Sequence, residues 1–128
     1  MKKYLNLIVI LISIATVVSG LLQLVKPGIV LGLIGSEITP TSSHFFSIVG
    51  MFMLLFGLLM LHVIYSAHSN RVAVFWCAMQ KIGASAAVGI GVVNEVFGVL
   101  ALGVALFDLL SGIILFWYFK IAKADEID

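Results

Sequence analysis

Four long apolar stretches, separated by short polar breaks, organise the chain. The first runs from Leu5 to Val25 and closes on Lys26-Pro27, the second from Phe45 to Tyr65, the third from Val72 to Val93 and the fourth from Val96 to Phe119. They hold 21, 21, 22 and 24 residues, each close to the length of apolar helix that crosses a membrane. Barrel strands alternate apolar and polar positions, whereas these runs are continuously apolar, so the pattern predicts helices. The expected fold is all-α: one transmembrane domain over residues 1–128, an antiparallel four-helix bundle with short loops except the first.

The breaks between the runs set the connectivity. Only Asn94 and Glu95 interrupt the third and fourth runs, which predicts an antiparallel hairpin of neighbouring helices. Ser66 to Arg71 joins the second run to the third. The first connection, Lys26 to His44, is long and contains an apolar piece, Gly28 to Gly35, too short to span. That piece reads as a turn lying at the membrane surface, or as a lid over a cavity. Thr39 to Ser43 reads as a turn, with Ser42 or Ser43 placed to cap the second helix.

Within the runs, small residues recur at helical spacing. Lipid tails are as apolar as leucine, so membrane helices associate through small residues and polar contacts. The third helix carries Gly83, Ala87 and Gly91, and the fourth carries Gly98, Ala101, Ala105, Asp108 and Gly112. Ser47, Gly50 and Gly57 mark the second helix, and Ser13, Thr16 and Gly20 the first. These stripes predict the faces on which the bundle packs, and equally admit a homodimer, a membrane-protein partner or a ligand groove.

Composition agrees with the pattern: 62% of residues are hydrophobic and 10% charged, against about 25% charged in soluble domains. Mean hydropathy is +1.25. With both termini cytoplasmic, Lys2, Lys3, Arg71, Lys120 and Lys123 lie inside and only Lys26 outside, as the positive-inside rule favours. The expected location is the plasma membrane, a bacterial inner membrane, with lipid as the first partner. Basic residues form no patch, so nucleic acid is not expected. Met1-Lys-Lys, the apolar run and Val18-Ser19-Gly20 also fit a signal peptide, but the run continues to Val25, longer than such a segment needs. An uncleaved span is expected.

Two charges fall inside the spans, Lys81 and Asp108. Lys81 lies ten residues past Arg71, about 15 Å along a helix, and Asp108 twelve residues before Lys120, about 18 Å from the same side. On adjacent antiparallel helices they meet near the midplane, and a charge at that depth normally pairs. Gln80, Ser85, Ser111 and Glu95 add polar groups to the same hairpin. The predicted Lys81–Asp108 pair either fixes the register of the hairpin or marks a small-ligand or proton pathway through Lys81, Asp108, Gln80, Ser85, Ser111 and Glu95.

Other chemistry is sparse. His44, His62 and His68 do not converge at one depth, so neither haem nor zinc is expected and no cofactor is assigned. Cys77, the single cysteine, reads as a small apolar residue within the third helix. The chain has no GxSxG, HExxH, P-loop or CxxC, and no catalytic residue is assigned. Asp125 to Asp128 reads as a solvated tail.

Four tightly connected spans, Gly-rich helices and a polar pair on the last two, Lys81 and Asp108-Leu-Leu-Ser-Gly112, resemble the small bacterial four-helix membrane proteins of the DoxX-like kind. The resemblance covers the whole length. It implies a membrane component, since some such proteins resemble quinone-linked accessory subunits, and it carries over no catalytic residue. Small multidrug transporters share the layout but resemble one another in a Glu on the first helix, and none stands between Leu5 and Val25. The expected function is therefore a non-enzymatic accessory component or a binder of a small hydrophobic ligand or lipid. A small transporter or channel using the pair is the alternative.

Overall fold

A computed structural model describes residues 2–66 and 70–127, with side chains over 3–66 and 70–121. Among the described residues there are five helices and no strand: α1 (Lys2–Val25), α2 (Pro27–Leu33), α3 (Pro40–Tyr65), α4 (Arg71–Val93) and α5 (Ala101–Ile127). Four of them, all but α2, are long and apolar enough to cross a membrane. The chain is an all-α, multi-pass membrane protein. The start of α1, the end of α3, the start of α4 and the end of α5 lie at one end, here the terminal end. The α2 helix and the α4–α5 connection lie at the other, the loop end.

The long helices associate in pairs, α1 with α3 and α4 with α5. In the first pair two backbones touch: a Cβ on Gly20 would lie 2.7 Å from the Gly50 carbonyl oxygen, and one on Gly50 2.8 Å from that of Gly20. Only glycine permits such an approach. Two polar side chains then cross the same seam, Gln23 Nε2 donating to the Phe46 carbonyl at 3.1 Å and Ser47 Oγ to that of Leu24 at 3.0 Å. In the second pair, Gly112 of α5 sits against Ala78 and Ile82 of α4. Of the predicted stripe on the fourth helix, Ala101, Ala105, Asp108 and Gly112 are buried, whereas Gly98 is half-buried in the connection before α5.

Three sequence expectations need correction. In the ridge Gly83-Ala87-Gly91 the first two residues do not face the bundle, and only Gly91 is half-buried. Gly83 and Ala87 are exposed, and a Cβ on Gly83 would meet nothing within 4 Å. The buried face of α4 is Val74, Cys77, Ala78 and Lys81 instead, because the lysine must point inward and so sets the rotation of the whole helix.

The second span begins at Pro40, five residues before Phe45. Thr39 is the cap: its hydroxyl accepts from Ser42 N–H at 3.0 Å while Ser42 Oγ accepts from Thr39 N–H at 2.9 Å. Proline at the first helical position needs no N–H partner, so what reads as a turn is a helix start.

The fourth span begins at Ala101, and its connection covers residues 94–100. Glu95 adopts a left-handed φ of 61°. Its N–H then bonds the Val92 carbonyl, and Val96 N–H that of Gly91 at 2.8 Å, which closes α4 as a Schellman motif. The chain doubles back, and the Phe97 ring lies over Gly91. The same motif ends α2, with Gly35 at φ 70° and Ser36 N–H bonded to the Leu31 carbonyl. The two turns meet where Gly98 N–H donates to the Ile34 carbonyl at 2.6 Å, tying the two helix pairs together at the loop end.

The core is divided along the membrane normal. At the terminal end Leu5, Val9, Met60, Val74, Cys77, Ala78 and Leu115 form one apolar cluster. At the loop end Leu31, Ile34 and Ala101 form another, flanked by Phe46, Val88, Val92 and Phe97. Between them lies a layer of buried polar side chains.

Candidate functional site

That layer is built from three helices. On α1 the buried stripe includes Ser13 and Thr16, each bonded to the carbonyl four residues back: Ser13 Oγ to Val9 at 2.8 Å, Thr16 Oγ1 to Ile12 at 2.9 Å. Both hydroxyl protons are thereby used, and each oxygen faces the interior as an acceptor. Lys81 enters from α4 and Asp108 from α5.

Lys81 Nζ is 2.6 Å from Thr16 Oγ1 and 3.4 Å from Asp108 Oδ1. The two charged side chains are 5% and 9% exposed, so this is a buried ion pair. The Phe107 ring completes the surroundings of the ammonium, its centroid 5.3 Å from Nζ. Asp108 belongs to the same helix pair as Lys81, whereas Thr16 lies on the other. The lysine thus neutralises its charge within its own hairpin and hydrogen-bonds across to the opposite one.

Beside the ammonium, toward the terminal end, lies a recess of about 10 Å³ that all four long helices line. Ser13, Thr16, Gln80 and Lys81 supply its polar groups, and Phe56, Met60, Leu115 and Cys77 much of the rest. The volume is that of one water molecule. A pocket for a small organic ligand is more than tenfold larger, on the order of 300 Å³ or above.

The structure brings together only part of the predicted set. Lys81 and Asp108 pair, as their depths require. Ser111 is buried one turn beyond Asp108 on α5, and Gln80 is half-buried at the recess. Ser85 is half-buried about one turn from Lys81. Glu95 is exposed beyond the end of α4; twelve helical residues, about 18 Å, separate Lys81 from Val93 alone. It belongs to the α4–α5 turn and stands apart from the pair.

Thr16 is a site residue that the sequence pattern places only in a packing stripe, with Ser13 and Gly20. Its depth matches that of Lys81, but the hydrogen bond between them depends on the placement of α1 relative to α4, which spacing along the chain does not encode.

His44 and His62 are exposed near opposite ends of α3, and His68 lies outside the described residues. Among the described residues no group of three His, Cys, Asp or Glu side chains is placed to hold a metal. No family model, curated protein or solved structure matches this chain.

Proposed function

We propose that this chain is a non-enzymatic accessory component of the plasma membrane, with both termini cytoplasmic, whose Lys81–Asp108–Thr16 layer is a clamp between two helix pairs. One observation carries the reading. The two side chains of the ion pair are 5% and 9% exposed, and the recess that Lys81 lines has a volume of only about 10 Å³. A ligand site needs far more volume, and a transport pathway needs the charged groups to be reachable from water.

The clamp has a clear physical purpose. Lys81 spans the interface between the pairs, where apolar packing is least intimate, and its hydrogen bond to Thr16 specifies which depth of α1 faces which depth of α4. Buried polar groups are best attested in this register-setting role. The resemblance to DoxX-like proteins, some of which resemble quinone-linked accessory subunits, points the same way.

Cys77 provides a test without mutation. It is the single cysteine, is 2% exposed and lines the recess one turn from Lys81. In right-side-out and inverted vesicles a membrane-impermeant maleimide is expected to leave Cys77 unmodified, with full modification only after denaturation. Labelling from either side in the folded protein would show a water-filled path to the layer and favour the transporter reading. In a Cys77→Ser background, Glu37→Cys and Lys120→Cys report orientation, the first expected to label only from outside and the second only from the cytoplasm.

A further inference from the structure

The loop end carries apolar surface that no long helix of the bundle covers. From Val96 to Leu100 there is no polar side chain, and Val96, Val99 and Leu100 are 53%, 78% and 72% exposed. On α2 the residues Gly28 to Ile34 likewise include no polar side chain; Leu31 and Ile34 are buried, but Ile29 and Leu33 are exposed. Gly98 N–H donates to the Ile34 carbonyl at 2.6 Å, so the turn and the end of α2 lie at one depth. Clustered apolar exposure of this kind marks an interaction surface.

Helical rise sets that depth. Lys120 lies nineteen residues from Ala101, about 29 Å, against a hydrocarbon thickness of about 30 Å. With Lys120 at the boundary of the terminal end, α5 begins at or just inside the opposite boundary. On α4, Arg71 to Val93 covers about 33 Å, so the connection passes that boundary at Asn94 and Glu95 and must return to reach Ala101. The Phe97 ring lying over Gly91 marks the return.

The backbone of the turn suits lipid as well. Hydrocarbon offers nothing to an open N–H, so a segment at membrane depth has to satisfy its donors internally. All five N–H groups from Asn94 to Gly98 donate to protein carbonyls: those of Ile90, Val92, Gly91 (twice) and Ile34. A solvated turn has no such need. Val99 and Leu100, directly ahead of α5, have no carbonyl partner among the described residues. That fits the edge of the hydrocarbon, where headgroup oxygens are in reach, and not its centre.

We propose that α2 and the turn 96–100 form a cap immersed in the leaflet at the loop end, its exposed apolar side chains in contact with lipid acyl chains close to the headgroups. The surface continues faces that the spans already turn to lipid. Exposed Val18, Leu22 and Val25 lead along α1 to Ile29, and exposed Ile90 and Val93 lead along α4 to Val96. Lys26, Glu37 and Glu95, the charges at this end, flank the apolar segments in the chain and mark the level of the headgroups.

Spin labelling of the full chain in phosphatidylcholine–phosphatidylglycerol vesicles, in a Cys77→Ser background, tests the cap. Nitroxides at Val99→Cys and Ile29→Cys are compared with Leu106→Cys, on the exposed face of α5 near Asp108, and with the exposed Glu37→Cys. Oxygen partitions into lipid, and a water-soluble nickel chelate does not. The oxygen-to-nickel accessibility ratio at Val99 and Ile29 is expected to exceed that at Glu37 at least several-fold and to approach that at Leu106. Val99 is exposed, so its label displaces no packed side chain. Should that variant fail to fold, Val96→Cys probes the same surface.

Nickel accessibility at either site equal to that at Glu37 would place it in water and overturn the cap. Low accessibility to both reagents would mean that a second copy or another protein covers the surface, and would overturn lipid as its occupant. The cap is independent of the polar layer, so both results leave the clamp standing.

Discussion

Removing the carboxylate charge is the most direct probe of the clamp. Asp108→Asn keeps shape and volume but leaves Lys81 with Thr16 and the Phe107 ring as its protein neighbours. At 3.4 Å and an effective dielectric of 20, the lost attraction is about 5 kcal/mol. Part of it is recovered, since the amide oxygen still accepts a hydrogen bond. Stranding one partner of a buried pair costs about 3–5 kcal/mol in soluble proteins, and a lone lysine at a helix centre about 2.5–3.5 kcal/mol on insertion scales. Asp108→Asn is therefore expected to destabilise the bundle by about 3 kcal/mol, and Lys81→Met by a similar amount through the unpaired aspartate.

The double variant separates pairing from mere bulk. With both charges gone, no buried charge is left unpaired, and Lys81→Met/Asp108→Asn is expected to be more stable than either single variant. The assay is equilibrium unfolding in mixed micelles of increasing dodecyl sulfate fraction, followed by the fluorescence of Trp76 and Trp117. Single substitutions that each cost under about 0.5 kcal/mol, as exposed sites do, would refute the clamp. So would a double variant whose loss equals the sum of the two singles.

Further predictions concern the glycines and the turn. Gly50→Ala is expected to lower stability by at least about 1–3 kcal/mol in the same assay, because the new Cβ would meet the Gly20 carbonyl and Leu24 N–H, both backbone atoms that cannot move independently. Gly83→Ala, on the open face of α4, is expected to be neutral or to stabilise by up to about 1 kcal/mol through helix propensity alone. A loss at Gly83 matching that at Gly50 would mean that a partner helix covers this face. Glu95→Gly is expected to raise stability by about 1 kcal/mol, since it relieves a left-handed backbone conformation at an exposed site. A fall in stability there would show that the Glu95 side chain makes an interaction worth more than the strain.

The membrane class, the number of spans and the Lys81–Asp108 pair are legible in the sequence because each rests on a local or one-dimensional quantity. Hydrocarbon thickness sets the length of an apolar run, helical rise converts residue number into depth, and the expense of an unpaired charge requires a partner at equal depth. Glycine spacing on α1, α3 and α5 likewise points to the faces that pack. The start of α3 is not legible: the apolar run beginning at Phe45 points to a helix start there with Ser42 or Ser43 as the cap, whereas the helix begins at Pro40 with Thr39 as its cap.

Tertiary structure decides what depends on the relative rotation and placement of helices. The spacing of Gly83, Ala87 and Gly91 is indistinguishable from that of a packing ridge, yet burial of Lys81 turns that face outward. The apolar residues Val96 to Leu100 continue the hydrophobic pattern, but the left-handed Glu95 folds them back over α4, and hydropathy carries no information on a single φ. Thr16 becomes the lysine's nearest oxygen only because α1 crosses the bundle opposite α4, a neighbour relation 65 residues away in the chain. Energy along the membrane normal is a function of composition and depth, which a sequence records. Energy within the membrane plane depends on which side chains meet, and that is a property of the assembled bundle.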